Sequence, residues 1–103
     1  MDKHKKKRLE IILEAPALHR LTHVLDSAGA SGYTVFPALG GRGKNGQWSR
    51  EGLVGGAGQM VMVVCITDPS RAETILAEIM GLLRRQIGIV SMSEVEVVRG
   101  ERF

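Results

Sequence analysis

Residues 31–67 read SGYTVFPALGGRGKNGQWSREGLVGGAGQMVMVVCIT: two strand-like segments separated by a long glycine-rich one. The middle segment, residues 39–58, holds eight of the thirteen glycines, the only tryptophan (Trp48), the cations Arg42, Lys44 and Arg50, and one acid, Glu51. A loop of about twenty residues is uncommon inside a small domain and is usually functional where it occurs. Glycine lets backbone N–H groups approach a ligand closely. Successive N–H groups in such turns form an anion-binding concavity, which neighbouring Arg and Lys reinforce. The segment therefore suits a phosphate or carboxylate ligand; the plainer alternative is a flexible linker with scattered charges.

Working outward, residues 31–38 carry Tyr33, Val35 and Phe36 and close at Pro37. Residues 60–66 are continuously apolar, as in a strand of a sheet interior. Before them, Arg8 to Glu14 alternates Leu9, Ile11 and Leu13 with polar residues, the period of a strand with one buried face. Pro16 opens a helix whose stripe is Leu18, Leu21, Val24, Leu25 and Ala28, with Gly29 at its end. After the loop, Asp68-Pro69 reads as a helix cap and first position. The second stripe is Ala72, Ile75, Leu76, Ile79, Leu82 and Leu83, and Arg84 and Arg85 fall where positive charge suits the helix dipole. Ile87 to Val98 is the last strand; its apolar parity changes between Met92 and Val95, predicting a bulge or a change of burial. The order strand, helix, strand, strand, helix, strand predicts a single α+β, ferredoxin-like domain over residues 1–103. It has a four-stranded antiparallel sheet with both helices on one face. The other face, with Ile12 and Val98, is expected to be covered by further subunits.

Composition narrows the function. The chain has 103 residues and a formal charge of +3, but five of its fourteen basic residues lie between Lys3 and Arg8. Without them, nine basic residues face eleven acidic ones, so the basicity belongs to a segment over residues 1–7 that reads as a solvated terminus. With few aromatics, this is a weak footprint for nucleic acid. The single cysteine, Cys65, excludes an internal disulfide and suits a reducing cytoplasm. No apolar run approaches the ~20 residues of a membrane span, and no secretory pattern opens the chain. His19 and His23 lie four apart on the first helix, but no third ligand follows at metal-site spacing, so two surface histidines are expected. Nothing resembles a catalytic triad or a carboxylate pair, and no catalytic cofactor is expected. Arg99 and Arg102 flank Gly100 after the last strand and could share a phosphate with the loop; otherwise they are solvated tail arginines.

Four stretches together resemble the PII signal-transduction superfamily. They are Gly29-Ala30-Ser31-Gly32-Tyr33-Thr34-Val35, Gly40-Gly41-Arg42-Gly43, Ile87-Gly88-Ile89 and Glu96-Val97-Val98-Arg99-Gly100-Glu101-Arg102. The resemblance spans nearly the whole chain, with residues 39–58 in the place of the family's T-loop. It is closest to the PII-like branch tied to inorganic carbon, which includes SbtB and the carboxysome-associated CPII. That resemblance implies a homotrimeric, non-enzymatic, cytoplasmic sensor with an adenine nucleotide in each intersubunit cleft. The implied nucleotide contacts are Thr34, Gly40, Gly41, Arg42, Gly43, Lys44, the backbone near Val64 and Cys65, Gly88, Ile89, Arg99 and Arg102. The family's modified tyrosine is absent, the loop before the last strand is short (Gln86-Ile87-Gly88), and Gln47 is offset from the family's T-loop glutamine. These departures favour ADP or AMP over a nitrogen-type response to ATP and 2-oxoglutarate. Bicarbonate is implied as a second ligand, beside Arg42 or Lys44. The implied target is a protein, such as a bicarbonate transporter or a carbon-fixation protein, that the T-loop docks on or releases.

Overall fold

The computed structural model describes residues 1–43, 46–49 (backbone alone from 47) and 59–99. Its central element is β1, His4–Glu14, an eleven-residue strand. A short 3-10 turn over Ala15–Ala17 leads into α1, Leu18–Ser27, and then β2, Thr34–Pro37. The glycine-rich segment opens with β3, Gly40–Gly43, and β4, Gly46–Ser49; β5 is Met60–Thr67, α2 Pro69–Leu83 and β6 Gly88–Val97. The main sheet has the order β2-β5-β1-β6 and every pairing in it is antiparallel. This is the expected α+β, ferredoxin-like arrangement.

Alternation decides which face is covered. Leu9, Ile11 and Leu13 of β1 and Val61, Val63 and Cys65 of β5 form one buried layer, joined by Leu21 and Leu25 of α1 and Ile75, Ile79 and Leu83 of α2. Both helices therefore pack on one face, through the stripes read from the sequence. Gly29 ends α1 at φ +84°, a conformation glycine adopts without strain. Arg71 Nη1 donates to its carbonyl oxygen at 2.8 Å and ties α1 to α2. The opposite face presents Ile12, Met62, Val64 and Ile66, all partly exposed.

Several expectations change. The basic segment is not a solvated terminus: β1 begins at His4, and Lys5, Lys6 and Lys7 pair with Glu96, Val95 and Glu94 of β6. The Lys6 ammonium binds the Asp68 carboxylate, and Lys7 Nζ lies 2.9 Å from Glu94 Oε1. Asp68 holds the cap position of α2, but its side chain makes no capping bond; Lys6 takes it instead. Arg84 caps the C-terminus of α2 and Arg85 follows it, so both lie just past the last turn. In β6 the register to β1 runs unbroken from Gly88–Leu13 to Val97–His4, so the parity change is a change of burial and not a bulge. Val90 and Met92 join the core; beyond them Glu94 occupies the helix-side face with Lys7, and Val95 and Val97 turn to the other. Val98 lies past the strand and is half-exposed, so Val97 takes the place on the open face expected for it.

The loop is also less irregular than expected. β3 and β4 pair antiparallel, Gly41 opposite Trp48 and Arg42 opposite Gln47, with Gly46 at φ +102°. Lys44, Asn45 and residues 50–58 lie outside the described residues.

Candidate functional site

The backbone of β5 supplies the first part of the candidate site. Ala38 N–H donates to the Met60 carbonyl at 3.1 Å, so even-numbered positions of β5 turn their polar backbone groups towards β2 and odd ones towards β1. Thr34 pairs with Val64 at the end of that ladder. The next even position, Ile66, would pair with Gly32, which lies outside the strand. Ile66 N–H and C=O thus lie on an edge that β2 does not cover, where the edge of a planar base could be read. The resemblance implied the backbone near Val64 and Cys65, and Ile66 is the neighbouring position whose polar groups face this edge. Val64 is committed to Thr34, and Cys65 turns its backbone to β1 while its side chain is fully buried in the core. Burial pushes the Cys65 thiol up from its ordinary range, keeping it neutral and structural. The second strand starts at Thr34 and not at Ser31, which is what leaves the Ile66 backbone facing an open edge.

Thr34 stands exposed at the head of β2, and Gly40, Gly41, Arg42 and Gly43 follow as the exposed strand β3. Thr34 belongs to the β2 edge of the main sheet, and β3 follows it in the chain but pairs with β4 in a separate two-stranded sheet. Gly88 and Ile89 belong to the other edge, at the start of β6, opposite Leu13 and Ile12. Two strands, β5 and β1, lie between Thr34 and β6, which puts about 14 Å between the edges at ordinary strand spacing. Arg99 follows the far end of β6; nine residue steps separate Gly88 from Val97, about 30 Å along an extended strand. Lys44 and Arg102 lie outside the described residues. A single chain therefore sets Thr34 beside the free end of β5 at Ile66, lets the glycine strand with Arg42 follow from the Pro37 end of β2, and does not bring Gly88, Ile89 or Arg99 to Thr34.

Gly88 has a packing role that the sequence did not disclose. A Cβ there would sit 2.7 Å from the Ile12 carbonyl oxygen and 3.0 Å from both Leu13 Cβ and Leu83 Cδ2, so packing alone calls for glycine. His19 and His23 are both exposed, and among the described residues no three His, Cys, Asp or Glu side chains come together as a metal site. Among the described residues, no helix is long and apolar enough to cross a membrane.

Comparison with known proteins identifies the family. Residues 6–102 match the family described as Nitrogen regulatory protein P-II. The structure of CPII from Thiomonas intermedia, a nitrogen regulatory PII-like protein bound to ADP, AMP and bicarbonate, superposes with a TM-score of 0.89 at 25% identity. That match covers 99% of this chain and 96% of that one. The same protein bound to ADP and bicarbonate gives a TM-score of 0.85 at 25% identity, over 99% and 97% of the two chains. A PII-like signalling protein from Thermus thermophilus gives 0.83 at 29% identity, over 100% and 99%. No curated protein matches the chain significantly. With the family matched over almost its full length and the fold shared throughout, the chain belongs to the PII signal-transduction family, whose proteins are non-enzymatic regulators.

Proposed function

We propose that this chain is a cytoplasmic sensor that binds ADP or AMP between neighbouring copies in a homotrimer, together with bicarbonate, and signals inorganic-carbon status through its T-loop. The observation that carries the reading is the division of the candidate residues between two edges of one sheet. Thr34 and the Ile66 backbone stand on one edge, from which the chain runs on into the glycine strand with Arg42; Gly88 and Ile89 stand on the other, about 14 Å away at strand spacing. A ligand that needs both halves takes one from each of two copies. Such head-to-tail contacts close into a ring when the rotation allows. The uncovered sheet face supports the same arrangement: Phe36, Met62, Ile12 and Ile89 stand in one register row across it, and Phe36 is 43% and Ile89 65% exposed in the single chain.

Within this reading the Ile66 backbone meets the base, and the glycine strand brings N–H groups and the Arg42 guanidinium to the phosphates. Bicarbonate sits beside Arg42 or Lys44. Ligand contacts then order the T-loop, which docks on or leaves a target such as a bicarbonate transporter or a carbon-fixation protein. The CPII complexes with ADP, AMP and bicarbonate support this choice of ligands. The pairing of Lys6 and Lys7 with acidic side chains weighs against the nucleic-acid alternative, since these charges are already partnered.

Titration calorimetry of ADP and AMP, with and without bicarbonate, tests the proposal. Expected are nucleotide binding, its tightening by bicarbonate, and about a tenfold loss of affinity in Arg42→Ala, the size of one charge-assisted hydrogen bond. Nucleotide binding indifferent to bicarbonate would remove the carbon-sensing part, and no nucleotide binding would remove the whole.

A further inference from the structure

The helix layer carries a cationic cluster that the nucleotide reading does not use. Arg20 on α1 and Arg84 and Arg85, just past α2, line one open cavity of about 370 Å³, with Gly81, Leu82 and Gln86 completing its wall. All three arginines are exposed, and their side chains make no hydrogen bond or ion pair with any described residue. Among the described residues, no acidic side chain lines the cavity. Three like charges around one concavity repel each other, and a multiply charged anion relieves that repulsion better than scattered monovalent ions.

Two further observations fit an anion. The end of a helix normally presents bare carbonyls that would repel one. Here the N–H groups of Arg84, Arg85 and Gln86 turn back onto the Met80, Leu82 and Leu83 carbonyls at 3.1, 3.2 and 3.2 Å, so the guanidinium charges set the field. Gly81 is the second. It is not in the left-handed region, and a Cβ there would meet nothing within 4 Å, so neither conformation nor packing calls for glycine. Glycine is nonetheless among the least favourable residues in a helix interior. What it does here is leave the cavity wall bare.

We infer that this cavity in the helix layer is a second anion site, for a small molecule carrying two or more phosphate or carboxylate groups. Guanidinium forks bind either group in a bidentate manner, and three of them can engage a polyanion at several points. The inference does not rest on the nucleotide reading, because among the described residues none of the nucleotide candidates lines the cavity.

Amide NMR of the full-length isotope-labelled chain tests it, with pyrophosphate and citrate titrated at constant ionic strength. Expected are saturable shifts at Arg20, Gly81 and residues 84–86, about tenfold weaker binding in Arg20→Ala and in Gly81→Glu, and little change in Arg42→Ala. Whichever anion binds more tightly identifies the group recognised. Shifts that rise linearly without saturating, or that equal those of acetate, would overturn the site. So would binding abolished by Arg42→Ala but untouched by Arg20→Ala, which would place the anion at the T-loop base.

Discussion

The two halves of β1 are one strand built from two chemistries. From Leu9 to Leu13 the alternate side chains are fully buried under both helices, and the hydrophobic effect holds the half in place. From His4 to Arg8 the same strand is mostly charged and pairs with acidic neighbours. Lys6 meets Asp68, Lys7 meets Glu94, and Arg8 Nη1 lies 2.6 Å from Glu10 Oε2 on its own strand. One half is fixed by what it excludes from water and the other largely by two acidic partners, Asp68 and Glu94, brought from sixty and more positions away. Solvent screening makes the second kind of support weak pair by pair, so the halves should respond very differently to substitution.

The largest effect is expected at the apolar end. Gly88→Val pushes a side chain against the Ile12 backbone and the Leu13–Leu83 contact, and overpacking of that kind costs about 3 kcal/mol. Urea unfolding should show a clearly lower midpoint; an unchanged one would mean that β6 can slide away from β1 at little cost. Next comes Lys6→Met, which keeps the apolar stem but leaves Asp68 without this partner. The Lys6 side chain is only 11% exposed and that of Asp68 42%, so the loss should be about 1 kcal/mol, with Lys6→Arg recovering part of it. An equal loss in Lys6→Met and Gly88→Val would erase the contrast between the halves.

The smallest effect belongs to Glu94. A hydrogen bond from Lys7, then the Lys7 charge, with a lesser contribution from Lys5, holds its carboxyl below the ordinary carboxylate range. A carboxyl lowered on folding stabilises the protein above its unfolded pKa, and that contribution is lost as pH falls through the folded value. Glu94→Gln should therefore be slightly less stable than the parent at neutral pH. The difference should close as the solution is acidified below the unfolded carboxylate pKa of about 4.3. A difference that persists unchanged into strong acid would remove the Lys7–Glu94 pair as its source.

This contrast also explains what could be read from the chain in advance. The apolar half declares itself by its own alternation, as do the stripes of α1 and α2, so the layers and element order were legible. The charged half does not, because whether Lys5-Lys6-Lys7 is a tail or a strand depends on Glu94, Glu96 and Asp68, which periodicity within a window cannot connect to it. Similarly, β3 and β4 contain four glycines among eight residues, which masks strand propensity. At the candidate site, residue types pointed to Arg42 and the glycines, whereas Ile66 depends on where β2 begins, and boundaries are the least legible feature of a sequence. The Arg20–Arg84–Arg85 cavity is assembled from two helices and escapes any local motif.

The separation of Thr34 from Gly88 has a consequence for how such a protein reports. A ligand held half by one copy and half by the next stabilises the contact between copies as well as its own binding. By mass action its apparent affinity then falls on dilution wherever the assembly is reversible, and adding ligand draws copies together. A titration at a single protein concentration would mix the two equilibria. Repeating it across a hundredfold range of concentration would separate a nucleotide that occupies ready-made rings from one that helps to build them.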